Sequence, residues 1–490
     1  MILHWDSYTF KLPNQTVLSI PERSICKDTV MGIFGESGSG KSIFLQHLFD
    51  KYRAIVDIAY MKQDVHFYPH LTVGETLLYY NRLRNITTSI DVMKDMLRDL
   101  QIEFLLDRKI HVLSGGERKR IMLANVLLHS RAALLLLDEP FSGLDDDNMV
   151  LVFHLLCKYK HRHCILLTIH QLPSFLLPLL TERWTLSHST LSYENNNNHP
   201  ESSEANGELS DIYLSDHDED TLEITTPHQQ PSLFRQFLIL FERDWLVHRR
   251  NLKPILFRLW MPFCISILQG LMIGFFHGRL KTWILTGNVM NLMQVLFNYT
   301  IMLFTMSMIP LAMLSDHFEK RAIVLHETSQ GLYSYGAYLL NAICIDQFFM
   351  TLITVSVASV SFLPEPIFLV YFFTLLAQLL FTNLCIWFLV YGAHCSYDMS
   401  QLFVIAYLSV SFLLNTPALN PMLNCVRFLS MNHAHTDMMI RSMEYHYPMY
   451  RFSMEQVISI FGMKITSHSW LTDLVLFCIP IFGLLFLSRK

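Results

Sequence analysis

The second half of this chain has little charge. Residues 251–490 carry only 22 of the 79 Asp, Glu, Lys and Arg side chains of the 490-residue sequence. Uniform solubility along the chain is thereby excluded; a soluble half joined to a membrane half gives such a split. Basic residues are missing altogether from Leu186 to Gln230, while ten acids lie between Glu194 and Glu223. Outside that stretch the balance is 37 basic to 32 acidic residues, so the formal −5 does not point to a nucleic-acid or other charged partner, and none is expected. A disulfide framework is also lacking. Most of the nine cysteines fall in the charged half or in long apolar runs, and Cys425 is alone in 421–469, a stretch without an Asn-x-Ser/Thr acceptor. Residues 1–30 do not pair a charged start with an apolar core, so the first half is expected in the cytosol.

What is present has an order. To about Trp184 short apolar runs alternate with turns and helix-like stretches, and Ile55–Tyr60, Ala132–Leu137 and Cys164–Ile169 read as buried parallel strands of an α/β domain spanning 1–186. Residues 187–232, rich in Ser, Asn, Asp, Glu and His, bury too little apolar surface to offset chain entropy and read as an acidic linker. In 233–253, Phe234, Phe237, Leu238, Phe241 and Trp245 share one helical face, as in an amphipathic helix lying on a membrane surface. Six apolar runs follow in 254–490, near 255–277, 289–315, 343–362, 366–391, 401–420 and 470–488, each long enough to cross a bilayer. Six spans put both ends of the chain on the cytosolic side, and Lys/Arg distribution supports this moderately.

Three stretches of the first half carry chemistry. Gly35, Glu36, Ser37, Gly38, Ser39, Gly40, Lys41 and Ser42 fit the eight-residue phosphate loop, between the apolar Val30–Phe34 and the helix-like Ile43–Phe49. Its glycines let backbone N–H groups wrap phosphates at a helix start, Lys41 reaches the β/γ-phosphates of ATP, and the Ser42 hydroxyl is placed to ligate Mg²⁺. Leu134–Leu137 ends in two acids, Asp138 to hold Mg²⁺ and Glu139 to polarise an attacking water. Ser114, Gly115 and Gly116 offer a hydroxyl and bare backbone donors at the start of the basic Glu117–Arg120 run. His161, His163 and Cys164, and separately His433 and His435, lack the full ligand set of a metal site.

Leu113–Arg120, in register with the phosphate loop and with Asp138, resembles the signature motif of ATP-binding cassette (ABC) proteins. Gln63 resembles their Q-loop, Ser142–Asp145 their D-loop and His170 their switch histidine. The Ser-Gly-Gly-Glu-Arg-Lys-Arg form, Thr168–Gln171, and the order of nucleotide domain before membrane domain are similar to the ABCG subfamily of half-transporters. Glu319–Arg321, His326 and Glu327 look like the family's acid–base stretch after the second span, and Asp346 like its acid at the start of the third, read here as a helix cap near the cytosolic border.

The resemblance implies a P-loop ABC domain followed by an all-α six-helix transmembrane domain. It assigns Glu139, His170 and Gln63 to catalysis, with Gln63 also at Mg²⁺, and Ser114, Gly115, Gly116 and Asp145 to the nucleotide of a second subunit. One chain then builds no complete site, so a dimer is implied: a homodimer, with a heterodimer open. Glu319–Gly331 becomes the coupling segment. Tyr8 is placed to stack on adenine, with Trp5 and Phe10 as rivals. Phe297, Phe304, Met308, Phe412 and Asn415 would face a cavity suited to a lipid, sterol or amphipathic compound. The implied function is ATP-driven export; the alternative is an ATP-gated membrane regulator that transports nothing. Only 21 residues separate Lys41 from Gln63, so a β-hairpin usual in the family is expected to be trimmed.

Overall fold

The computed structural model describes residues 3–195 (apart from 6, 12–16, 37, 65, 171, 188 and 189), 230–251, 314–360 and 365–414 (apart from 394), with single positions at 260, 264, 267, 268 and 441. The chain divides into two compact units. One holds Met1–Ile239 and His326–Ser334, the other Leu240–Leu325 and Tyr335–Lys490.

The first unit is built on an eight-stranded sheet in the order β2-β3-β10-β9-β5-β8-β7-β6, beside a small antiparallel pair. The pair is β1 (Leu3–Trp5) and β4 (Arg23–Ile25); β2 is Tyr8–Lys11 and β3 Val17–Ile20. The centre of the sheet is parallel: β5 (Val30–Phe34) beside β8 (Cys164–Ile169), then β7 (Leu134–Leu137), then β6 (Ile58–Met61). Every residue of β6, β7 and β8 is buried. A parallel strand covered on both faces has no solvent side to alternate with, which is why these segments read as unbroken apolar runs.

In-register pairing brings the strand ends level, Phe34 against Ile169, Leu137 against Leu167 and Met61 against Leu137. The loops leaving β5, β6, β7 and β8 therefore open on one edge, the carboxyl edge where parallel sheets bind ligands. Helix α1 (Lys41–Tyr52) follows β5, and residues 53–57 lead from it into β6 with no strand between, in keeping with the shortened connection.

Two further helices start at side-chain caps: α2 (Val73–Leu83) at Thr72, and α3 (Ile90–Asp99) at Ser89. The next helix, α4 (Gly115–Leu127), begins at a capping box in which Ser114 and Glu117 satisfy each other's end groups. Arg84, fully enclosed, ties α2 to α4 through the Asn125 carbonyl (2.7 Å) and Oδ1 (3.1 Å). Helix α5 (Asp146–Tyr159) leads to β8.

The sheet runs past residue 186. Strand β9 (Glu182–Ser187) pairs antiparallel with β10 (Thr190–Asn195), so the first residues of the expected linker extend the domain. The rest, 196–229, lies outside the described residues.

Helix α6 (Leu233–Arg250) covers most of the expected connecting helix. Residues 314–329 are helical, and Gly331, at φ 73°, turns the chain after them in the left-handed conformation that suits glycine at a helix C-terminus.

The second unit contains α7 (Tyr335–Val360), α8 (Glu365–Trp387), which continues as a π-turn over Phe388–Gly392, and α9 (Tyr397–Leu414). They occupy three of the six expected spans, while 255–277, 289–315 and 470–488 fall almost wholly outside the described residues. Among the described residues one stretch, Phe372–Tyr391, is long and apolar enough to cross a membrane.

Asp346 departs from its expected place. It lies well inside α7, buried, with Oδ2 3.4 Å from His317 Nε2, rather than capping a helix start. His317 also meets Trp387 (3.2 Å), and its carbonyl accepts from the Tyr391 hydroxyl (3.2 Å). Asp346 and the His317 ring thus pack together between helices.

Candidate nucleotide site

Phosphate-loop geometry begins with backbone that ordinary residues avoid. Gly38 and Gly40 sit at φ 80° and 100°, and Gly40 is the N-cap of α1. A Cβ there would oppose the turn that points successive N–H groups inward. Lys41, buried in the first turn, donates through Nζ to the carbonyls of Gly35 (2.7 Å) and Glu36 (2.9 Å). Burial lowers its pKa, opposed by the charges of Glu139 and Asp138. The Ser39 hydroxyl is buried without a hydrogen-bond partner, an orphan in the loop. A buried hydroxyl without a partner, beside a lysine held only by carbonyls, fits a phosphate that would bond both. Ser37 lies outside the described residues.

Opposite the loop, β7 delivers Asp138, which is buried and hydrogen-bonded to Ser42 and to the Thr168 hydroxyl (2.8 Å). Burial raises its pKa against the pull of those two bonds. Ser42 hydroxyl and Asp138 carboxylate make a pair of hard oxygen donors, the type Mg²⁺ prefers, so the residues present fit that ion.

Glu139 comes next, in the left-handed region at φ 49°. Its Oε1 is 2.6 Å from His170 Nε2, and its Oε2 accepts from Gln63 Nε2 at 3.0 Å. Residues from the ends of β6, β7 and β8 thus meet on one carboxylate.

Other expected residues stand apart from this cluster. The Ser114 hydroxyl is engaged only with Glu117, accepting from its N–H (3.2 Å) and donating to its Oε2 (2.9 Å). Gly115 has open space where a Cβ would project, and Gly116 faces the Gly143 carbonyl and Leu144. The Asp145 carboxylate accepts from Asn148 Nδ2, a bond that lowers its pKa. Tyr8 lies on β2 opposite Ile20. Trp5 is core: it is 3% exposed, packs on Tyr52 and Trp184, and donates through Nε1 to the Pro21 carbonyl (3.0 Å). Burial removes it as a rival for adenine. His163 is likewise buried, bonded to the Ala132 carbonyl (2.6 Å), and no group of three or more metal-ligating side chains occurs among the described residues.

Three contacting residues were not singled out from the sequence. Thr168 and Lys119 touch the backbone of Glu139 (2.8 and 3.2 Å), although both lie inside motifs already quoted. Lys62, beside Gln63, donates to the Ser329 hydroxyl (2.8 Å). Within the same unit Gln330 Nε2 donates to the Tyr60 carbonyl (2.9 Å), and the His66 and His326 rings meet edge to face at 5.9 Å. Glu327, fully buried, accepts from the Tyr333 hydroxyl (2.7 Å).

Known proteins resemble this chain in sequence. The family model described as ABC transporter matches residues 21–142. ABC transporter G family member 4 of Arabidopsis thaliana is 27% identical over 399 residues, covering 69% of this chain and 65% of its own length. Member 8 from the same plant is 25% identical over 68% of this chain and 62% of itself. The molybdate/tungstate import ATP-binding protein WtpC of Pyrococcus abyssi is 37% identical over a shorter stretch, 23% of this chain and 38% of its own. The chain thus spans a little under two thirds of the length of the G-family relatives it matches.

Proposed function

We propose that the chain belongs to the ABC transporter G family, which it resembles over about two thirds of its length, and that it hydrolyses ATP to export a lipid, sterol or amphipathic compound across a membrane. The observation that carries the proposal is the Glu139 carboxylate held between Gln63 and His170, next to the Ser42–Asp138 pair and the phosphate loop.

Each residue then has a task. Lys41 exchanges its loop carbonyls for phosphate oxygens, and Ser39 gains the partner it lacks. Ser42 and Asp138, with Gln63, would hold Mg²⁺, which supplies charge neutralisation on the phosphates. Glu139 accepts a hydrogen bond from the attacking water, using lone pairs that Gln63 and His170 leave over. His170 faces the charge that develops on the γ-phosphate. Positioning and charge stabilisation do most of the work in such transfers.

The nucleotide would be closed by Ser114, Gly115, Gly116 and Asp145 of a second subunit, and a homodimer is the simplest arrangement. Six helices of 254–490 would form the path through the bilayer, with both termini cytosolic. Residues 326–334 would carry the motion, because they pack on the β6 end that bears Gln63.

The test is ATPase activity and substrate flux in reconstituted vesicles, wild type beside Glu139→Gln. The variant should keep ATP binding and lose about 10²- to 10⁴-fold in kcat, the usual contribution of a general base. Hydrolysis without movement of any candidate compound would replace export with an ATP-gated regulator.

A further inference from the structure

Glu139 pays a conformational cost that its own side chain does not explain. A non-glycine residue at φ 49° is disfavoured and persists only where its surroundings hold it. Here the hold comes from both sides of the residue. The Glu139 N–H donates to the Thr168 hydroxyl at 2.8 Å. The Glu139 carbonyl accepts from Lys119 Nζ at 3.2 Å and from the Ser142 N–H at 3.2 Å.

Thr168 is suited to its end by strand geometry. It sits on β8, fully buried, and its single hydroxyl proton goes to Asp138 Oδ1 at 2.8 Å. Its lone pairs are thereby left facing the Glu139 N–H. One hydroxyl thus joins the carboxylate of one acid to the backbone of the next. Lys119 belongs to α4, the helix that starts at Ser114, and reaches the Glu139 carbonyl from outside the sheet.

We propose that Thr168 and Lys119 are positioning residues that clamp the Glu139 backbone from its N–H and its C=O, and so aim the carboxylate that Gln63 and His170 share. This rests on the ATPase reading of the site. Neither residue touches nucleotide or water in the scheme above; Lys119 acts through Glu139 alone, and Thr168 through Glu139 and the Asp138 carboxylate. A released backbone relaxes toward ordinary φ and swings the carboxylate away from Gln63 and His170. A consequence follows for a dimer: α4 presents Ser114 to the partner's nucleotide while Lys119 holds Glu139 at the chain's own, so one helix touches two sites.

The experiment is steady-state ATPase kinetics and nucleotide binding on the full-length protein in vesicles, with Thr168→Val, Thr168→Ser, Lys119→Met and the Glu139→Gln control. Valine keeps the shape of threonine and removes the hydroxyl. Thr168→Val should lower kcat by about 10- to 100-fold, the range for residues that orient a metal or catalytic ligand, with KM for ATP changed by less than about threefold. Thr168→Ser keeps the hydroxyl and should restore most of the rate. Lys119→Met, half-buried and outside the core, should lower kcat by about three- to tenfold and carries the test if Thr168→Val does not fold.

A purely structural role would lower yield or Tm and leave kcat per folded molecule unchanged. Thr168→Val within twofold of wild type, or Thr168→Ser as impaired as valine, overturns the Thr168 end. Wild-type kcat in Lys119→Met overturns the other. If the wild type shows no hydrolysis that Glu139→Gln removes, the ATPase reading fails first and the clamp falls with it.

Discussion

Acid should loosen residues 326–334 through a single buried imidazole. His326 is 5% exposed, and burial first, then the charges of Lys62 and His66, lower its pKa to about 3. Hydrogen bonding agrees with a neutral ring. Gln330 Nε2 lies 3.1 Å from His326 Nε2 and also donates to the Tyr60 carbonyl, so the imidazole nitrogen serves as acceptor. A protonated ring would point an N–H at an NH₂ group.

The ordinary histidine value is 6.5, so the docked state holds its proton far less firmly than the released one. Docking strength is therefore complete above about pH 6.5 and declines as pH falls toward about 3. At pH 5 the loss is 1.5 units below the free value, about 2 kcal/mol or roughly 30-fold in the docking equilibrium. The charged Lys62–Ser329 bond is worth about 1.5–3 kcal/mol and the neutral Gln330–Tyr60 bond about 0.5–1.5 kcal/mol, so the segment should open detectably without unfolding the sheet.

Hydrogen–deuterium exchange of peptides covering 326–334 reads this directly. Protection, normalised for the intrinsic pH dependence of exchange, should fall by about 30-fold between pH 7.5 and pH 5 in the wild type. His326→Gln, neutral at both values, should show little change. Equal losses in both proteins, or none in the wild type, would refute the argument.

Three further outcomes follow. Lys41→Met and Ser114→Arg subunits, each inactive alone, should regain about a quarter of wild-type ATPase when mixed and allowed to exchange, because half the dimers carry one site with neither defect; equal activity of either variant alone would exclude shared sites. Tyr8→Ala should raise KM for ATP by about tenfold if its ring carries the adenine, since base stacking is worth about 1–3 kcal/mol. Trp5→Phe, in the core beside Trp184, should lower Tm and leave that KM unchanged.

Legibility in the sequence followed the physics of each element. β7 and β8 were visible because strands buried on both faces leave continuous apolar runs, and the start of α1 because a phosphate loop needs glycines in fixed places. β10 was hidden for the opposite reason. Thr190–Asn195 is polar, and its identity as a strand comes from its partners, six paired positions on β9 and one on β3, which no local pattern announces. Trp5 resembled a stacking aromatic by position alone; its burial against Tyr52 and Trp184 depends on residues far along the chain.

Asp346 carries the same lesson into the helices. An acid in an apolar run invites a reading by depth, as a cap at the water's edge, because burying a lone carboxylate is costly. The neighbours that enclose it are brought from elsewhere in the chain, and here His317 packs beside it at 3.4 Å. Thr168 shows the favourable side of this dependence. Its hydroxyl would be an ordinary strand side chain, were it not that β7 pairs beside β8 in register and sets both acids within its reach. Motif residues that touch ligand are readable because chemistry limits their identity. Residues that hold those in place are limited only by the neighbour they must reach, so their identity emerges only once the sheet is assembled.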